Sequence, residues 1–125
     1  MDGGAMPPKA SNIPEDLQHL LPLTPAVFFI LFALAEGERH GYAIMQQVGI
    51  LSDGKFRMGP GTLYTTIQRL LELSLIEETD TDASGRRRYY RLTRTGKLIL
   101  KAELARMDAV VRRALRHKLL PQEGA

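Results

Sequence analysis

The stretch from His40 to Gly96 constrains the fold of this chain more than any other. It opens on His40-Gly41-Tyr42 and passes through Gly61-Thr62-Leu63-Tyr64 into an amphipathic segment. It closes on a hairpin pattern, Ser84-Gly85-Arg86-Arg87-Arg88, followed by Tyr89-Tyr90-Arg91-Leu92-Thr93. Two helices and a two-stranded ribbon with a cationic tip can be packed together in few ways. A helix sized for a groove, set beside a cationic finger, is what recognition of duplex DNA requires.

The flanking residues supply the rest of a core. Thr24-Pro25 reads as an N-cap and first helical residue, opening a helix to about Glu36. Phe28, Phe29, Leu31, Phe32 and Leu34 make that helix apolar nearly all round, which predicts a central position. A second helix is expected from Gly41 to Ile50, with Tyr42, Ile44, Met45 and Val48 facing inward. A third runs from Thr62 to about Leu73, with Leu63, Ile67, Leu70 and Leu71 on one face. Leu75 to Thr79 and Arg87 to Thr93 read as strands, joined by the turn residues Asp80 to Gly85. Alternation puts Tyr90 and Leu92 on one face of the second strand, Tyr89 and Arg91 on the other. A long helix follows from about Thr95 to Lys118.

The N-terminus reads differently. Met1 to Asn12 is rich in Gly, Pro and Ala and predicts a disordered tail. Pro14, Glu15 and Asp16 read as the first turn of a short helix, with Pro at its first position, apolar through Leu17, Leu20 and Leu21 and ended by Pro22. The order of elements is that of a winged helix-turn-helix: an α+β fold, mostly α, with a two-stranded wing. The expected division is a tail at 1–12, a DNA-binding domain at 13–93, and a dimerisation helix with its tail at 94–125.

Composition narrows the function. At 125 residues there is room for one compact domain. The longest apolar run, Ala26 to Ala35, is far short of the ~18 residues of a membrane span. No basic segment followed by an apolar core marks a secretory signal. Without cysteine there is no disulfide framework, and a cytoplasmic location is expected. Met1 to Asp53 carries two Lys/Arg against six Asp/Glu, a balance of −4, whereas Gly54 to Ala125 carries fifteen against eight, a balance of +7. The basic half suggests a polyanionic partner. No nucleophile elbow, phosphate loop or acid–base pair suggests an enzyme. The three histidines, His19, His40 and His117, lack metal-ligand spacing, so neither a metal nor a cofactor is expected. His40 is expected to cap or brace the second helix, and His117 suits the negative end of the last.

Candidate DNA contacts follow from the third helix and the wing. Thr62 and Tyr64 lie in the first turn, where phosphate is favoured, and Thr65, Thr66, Gln68 and Arg69 are placed for base edges or backbone. Arg86, Arg87 and Arg88 cannot all reach one phosphate, because alternation parts their side chains. At least one should touch a backbone or a narrow minor groove. Lys55 and Arg57, just before the third helix, are further phosphate candidates.

The last helix carries a seam. Leu100, Leu104, Met107, Val111 and Ala114 are spaced four, three, four and three apart, a coiled-coil pattern. A helix of ~24 residues is ~36 Å long and exceeds what a small core covers, so a second copy is the expected partner. Leu17, Leu20 and Leu21 are expected to pack against that helix across the subunits, as part of the dimerisation contact. A homodimer predicts a pseudo-palindromic double-stranded DNA operator. Any small-molecule effector is expected at the dimer interface.

The arrangement His40-Gly41-Tyr42, Gly61-Thr62-Leu63-Tyr64, Leu75-Ile76, then Arg88-Tyr89-Tyr90-Arg91-Leu92-Thr93 with Gly96 resembles the PadR-like transcriptional regulators. The resemblance covers roughly Leu23 to the C-terminus. It implies a homodimeric repressor with a winged helix-turn-helix and, as in the short branch of the family, one C-terminal dimerisation helix. The chain departs from the family pattern at Thr65, where many members have Pro, and at Ala43, where an acidic residue often precedes the Ile. A winged-helix protein-interaction or RNA-binding module without operator specificity is the alternative reading.

Overall fold

The computed structural model describes residues 13–79 and 85–121. The predicted N-terminal tail and most of the predicted wing turn, Asp80 to Ser84, lie outside the described residues. A 3-10 helix, Glu15–Leu20, leads into α1 (Pro25–Ala35), β1 (Arg39–His40), α2 (Gly41–Leu51), α3 (Pro60–Glu72), β2 (Ile76–Glu78), β3 (Tyr89–Leu92) and α4 (Arg94–Arg116).

α1 starts where its sequence says it should. Thr24 Oγ1 accepts the Val27 N–H at 3.3 Å, and Pro25 occupies the first turn. Ile30, Leu31, Ala33 and Leu34 are buried, and α1 touches α2, α3, α4 and β3, so its near-uniform apolarity is used on several sides. α3 shows the opposite logic. Leu63, Ile67 and Leu70 are buried on one stripe, and most of the remaining face is open.

The sheet has one strand more than expected. β1 pairs antiparallel with β3 through Arg39↔Tyr90 and His40↔Tyr89, and β2 pairs with the other edge through Ile76↔Leu92, Glu77↔Arg91 and Glu78↔Tyr90. The ribbon of two strands is therefore a three-stranded sheet in the order β1-β3-β2. Two residues between helices carry no alternation, so β1 has no sequence signature of its own.

The start of α4 is fixed to the turn between α3 and β2. Thr93 Oγ1 accepts the Gly96 N–H at 3.1 Å and donates to the Ser74 carbonyl at 2.6 Å. Gly96 is buried, and a Cβ on it would collide with the carbonyl oxygen of Leu75. One turn further on, Ile99 and Leu100 enter the core, and Glu103 is buried with only 1% of its surface exposed.

Several expectations need correction. Pro14 caps the N-terminal helix rather than beginning it, and the helix is 3-10. Tyr42 does not face inward: it is 60% exposed. Leu17 and Leu100 (4% exposed) belong to the core of their own chain, and Leu20, Leu21 and Leu104 pack partly against it. Met107 and Ala114 are half-buried, whereas Val110 and Val111 are 58% and 44% exposed.

Candidate nucleic-acid interface

The candidate surface is built on two helix starts and the approach to a strand. α3 begins at Gly59, which has no side chain to cap it, followed by Pro60. Thr62, Tyr64, Thr65, Gln68 and Arg69 are exposed along its outer face. Thr66 is half-buried, and its hydroxyl is spent within the helix, donating to the Thr62 carbonyl at 2.7 Å. Tyr64, Thr65, Gln68, Arg69 and Glu72 wall a shallow open groove. The carboxylate of Glu72 sets the C-terminal limit of the stretch suited to an anion.

α2 begins at His40, whose Nδ1 accepts the Ala43 N–H at 3.2 Å. The ring stands edge-on to Tyr89, with centroids 5.3 Å apart. The expected capping role of His40 is thus realised in the structure. Gly41 is buried next to it, and a Cβ there would strike the Tyr64 hydroxyl. The missing side chain leaves room for the Tyr64 phenol against the first turn of α2.

Arg86, Arg87 and Arg88 are exposed just before β3, which begins at Tyr89 rather than at the expected Arg87. With His40, Tyr42 and Tyr64 they wall a depression of about 300 Å³. Tyr90 also lines it; burial, the charge of Glu78 and the neighbouring Tyr64 push its phenol above the usual range, against the opposing pull of Arg88. Its hydroxyl is therefore a neutral donor. Arg88 Nε lies 3.9 Å from Glu78, an exposed pairing worth little in water. Arg87 Nη1 lies 3.3 Å from His40 Nε2.

Tyr64 lines both concavities, so the outer face of α3 and the wing arginines form one continuous surface. Lys55 and Arg57 are exposed but are not gathered with the wing. Arg57 lines a separate depression with Met45 and Ile50 of α2. Their loop is held by Ser52, whose hydroxyl accepts the Phe56 N–H at 3.1 Å and donates to the Phe56 carbonyl at 3.0 Å. Phe56 in turn stacks on Phe29. Sequence reasoning missed Tyr42 as a surface residue. The available signal was a second tyrosine in a helix's first turn, matching Tyr64.

A three-helix core, a small antiparallel sheet and an exposed third helix beside a basic wing define a winged helix-turn-helix. Residues 30–102 match the model of the transcriptional regulator PadR-like family, and the chain belongs to that family of DNA-binding regulators. It is 34% identical over 87 residues to the transcriptional regulator Rv3488 of Mycobacterium tuberculosis, covering 69% of this chain and 78% of that protein. The fold is similar to that of a PadR family transcription regulator from Clostridium difficile (TM-score 0.62, 23% identity, 75% of this chain and 98% of the other). It is similar also to Bacillus subtilis PadR in a crystal with operator DNA (TM-score 0.57, 24% identity, 66% of this chain and 47% of the other). Among the described residues no helix is long and apolar enough to cross a membrane.

Proposed function

We propose that the protein is a homodimeric repressor that lays α3 in the major groove of a pseudo-palindromic operator and rests its wing on the flanking backbone. The observation that carries this reading is the continuous surface through Tyr64, which joins Thr62, Thr65, Gln68 and Arg69 to Arg86, Arg87 and Arg88. Short polar groups and one arginine suit base edges; clustered arginines suit phosphate. The similar fold of Bacillus subtilis PadR, crystallised in complex with operator DNA, supports duplex DNA as the partner. Two copies joined through the distal half of α4 would present two such surfaces at half-sites about one helical turn apart. A small molecule seated between the distal halves would change that spacing and release the operator.

Selection of duplexes from a random pool, followed by fluorescence anisotropy over a salt series, tests the reading. A strong preference for one sequence and a steep slope are expected. Arg88→Ala should weaken all duplexes alike and reduce the slope by about one. Arg69→Ala should cost about 1–3 kcal/mol on the selected sequence and relax its specificity. Equal affinity for every duplex, or binding indifferent to salt, overturns the proposal and favours a protein or RNA partner.

A further inference from the structure

His40 has a second job that capping does not explain. Its Nδ1 accepts the Ala43 N–H, and a ring nitrogen that accepts carries no proton, so the neutral ring bears its proton on Nε2. That nitrogen faces Arg87 Nη1 at 3.3 Å. A guanidinium only donates. Two N–H donors therefore point at each other and cannot satisfy one another. An oxygen bearing negative charge would accept from both.

The surroundings are built for such an oxygen. None of the described residues that wall this depression carries a carboxylate; every side chain there able to hydrogen-bond is a donor in its ordinary state. Arg86 and Arg88 add charge, the latter with Glu78 3.9 Å away, and the exposed phenols of Tyr42 and Tyr64 add donors. The positive end of the eleven-residue helix α2 lies at the same place. The groove along α3 differs in this respect, because it includes Glu72.

We propose that His40 Nε2–H and the Arg87 guanidinium together hold one phosphate of the DNA backbone, so that the residue capping α2 also fastens the wing to the duplex. This rests on the duplex binding proposed above and assigns to His40 and Arg87 a shared contact. It is a positioning contact: it reads no base and adds the same affinity to every sequence.

His40→Asn tests it, because Asn is a preferred N-cap and keeps an acceptor for the Ala43 N–H while losing the distal donor. The melting temperature should stay near that of the parent chain. Duplex affinity should fall roughly tenfold, equally for selected and unrelated sequences, from loss of a charge-assisted hydrogen bond. The salt slope should not change, since a neutral donor releases no counterion, whereas Arg87→Ala should lower it by about one. Combined, the two substitutions should cost less than the sum of their separate effects. A scan of single methylphosphonate linkages should find one position that weakens the parent protein more than it weakens His40→Asn, where Arg87 alone still holds that phosphate. If Asn disturbs the fold, His40→Ser, another cap-forming change, is read in its place.

Parent-like duplex affinity in a folded His40→Asn overturns the proposal. So does calorimetric binding of inorganic phosphate that is lost in His40→Asn while duplex affinity is untouched, which would assign the cradle to a free anion. Failure of the parent chain to bind any duplex would instead remove the DNA-binding reading itself.

Discussion

The two halves of α4 share one helix and one apolar repeat but meet different fates. From Arg94 to Glu103 the helix is anchored: Gly96, Ile99, Leu100, Ala102 and Glu103 are buried against the chain's own core. From Leu104 to Arg116 no residue is buried, although Met107, Val110, Val111, Ala114 and Leu115 continue the stripe. This distal part, about thirteen residues, extends ~20 Å. Beyond it Leu119 and Leu120 are also exposed. The same spacing thus serves intrachain packing first and leaves apolar surface over only once the core is full. A repeat shows that a face wants covering, but its position relative to the core decides what covers it.

The anchored half of α4 depends most on Gly96. Alanine there gains about 1 kcal/mol of helix propensity. It also drives a methyl into the Leu75 carbonyl, and backbone cannot rotate aside as a side chain can. We expect Gly96→Ala to lose about 3 kcal/mol, at the upper end of overpacking costs, read as a lower urea midpoint at unchanged slope. A neutral or stabilising effect would mean that α4 is not pinned at Leu75.

Glu103 is the second anchor. Its Oε2 accepts the Leu23 N–H at 2.7 Å and its Oε1 accepts Arg106 Nε at 2.6 Å. Burial favours the protonated acid, but the hydrogen bonds from Arg106 and Leu23 and the charge of Arg106 prevail, holding the carboxyl below its ordinary range. The folded state therefore binds this proton less readily than the unfolded chain. Its contribution is complete above the ordinary glutamate range and is lost as pH falls through the lower folded-state value. Glu103→Ala should cost about 2 kcal/mol at neutral pH by stranding the Leu23 N–H. Glu103→Gln keeps an acceptor for that N–H and should flatten the acid limb of the stability curve. An unchanged acid limb in Glu103→Gln would remove Glu103 as its source.

The difference between the halves also shows what the sequence could convey. α1 and α3 were legible because each is governed by one pattern, uniform apolarity in one case and a single stripe in the other. The wing arginines and the α3 face were legible because consecutive charge beside a turn and a polar stripe opposite an apolar one survive without knowledge of tertiary contacts. β1 was not legible, since Arg39 and His40 become a strand only by pairing with Tyr90 and Tyr89, some fifty residues on. Glu103 was not legible because a glutamate on a helix ordinarily reads as solvated; its partner, the Leu23 N–H, is eighty residues away. Leu100 fitted a partner seam by spacing and Leu17 was expected against it, yet both sit where the chain fills its own interior. Tyr42 fitted an inward face, yet Gly41 beside it is the residue that packs under Tyr64, and Tyr42 turns out to the depression.

The smallest effect on the single chain should come from the distal half, where the largest effect on assembly is expected. Val111 is 44% exposed, so Val111→Glu removes little buried area within the protomer, and its cost there should stay within about 0.5 kcal/mol. Across a two-fold axis the same change would set two carboxylates against a partner's apolar face, or against each other, with no cation among the adjacent stripe residues Met107, Val110 and Ala114 to offset them. Sedimentation equilibrium should therefore show the parent chain as a dimer and Val111→Glu as a folded monomer. The parent's melting temperature should rise with concentration and the variant's should not, because only an associating chain gains stability by mass action. Operator affinity should fall in the variant while binding to an isolated half-site persists, since each wing and α3 remain intact. A parent chain that sediments as a monomer, or a variant that still dimerises, would place the distal stripe outside any contact with a second copy.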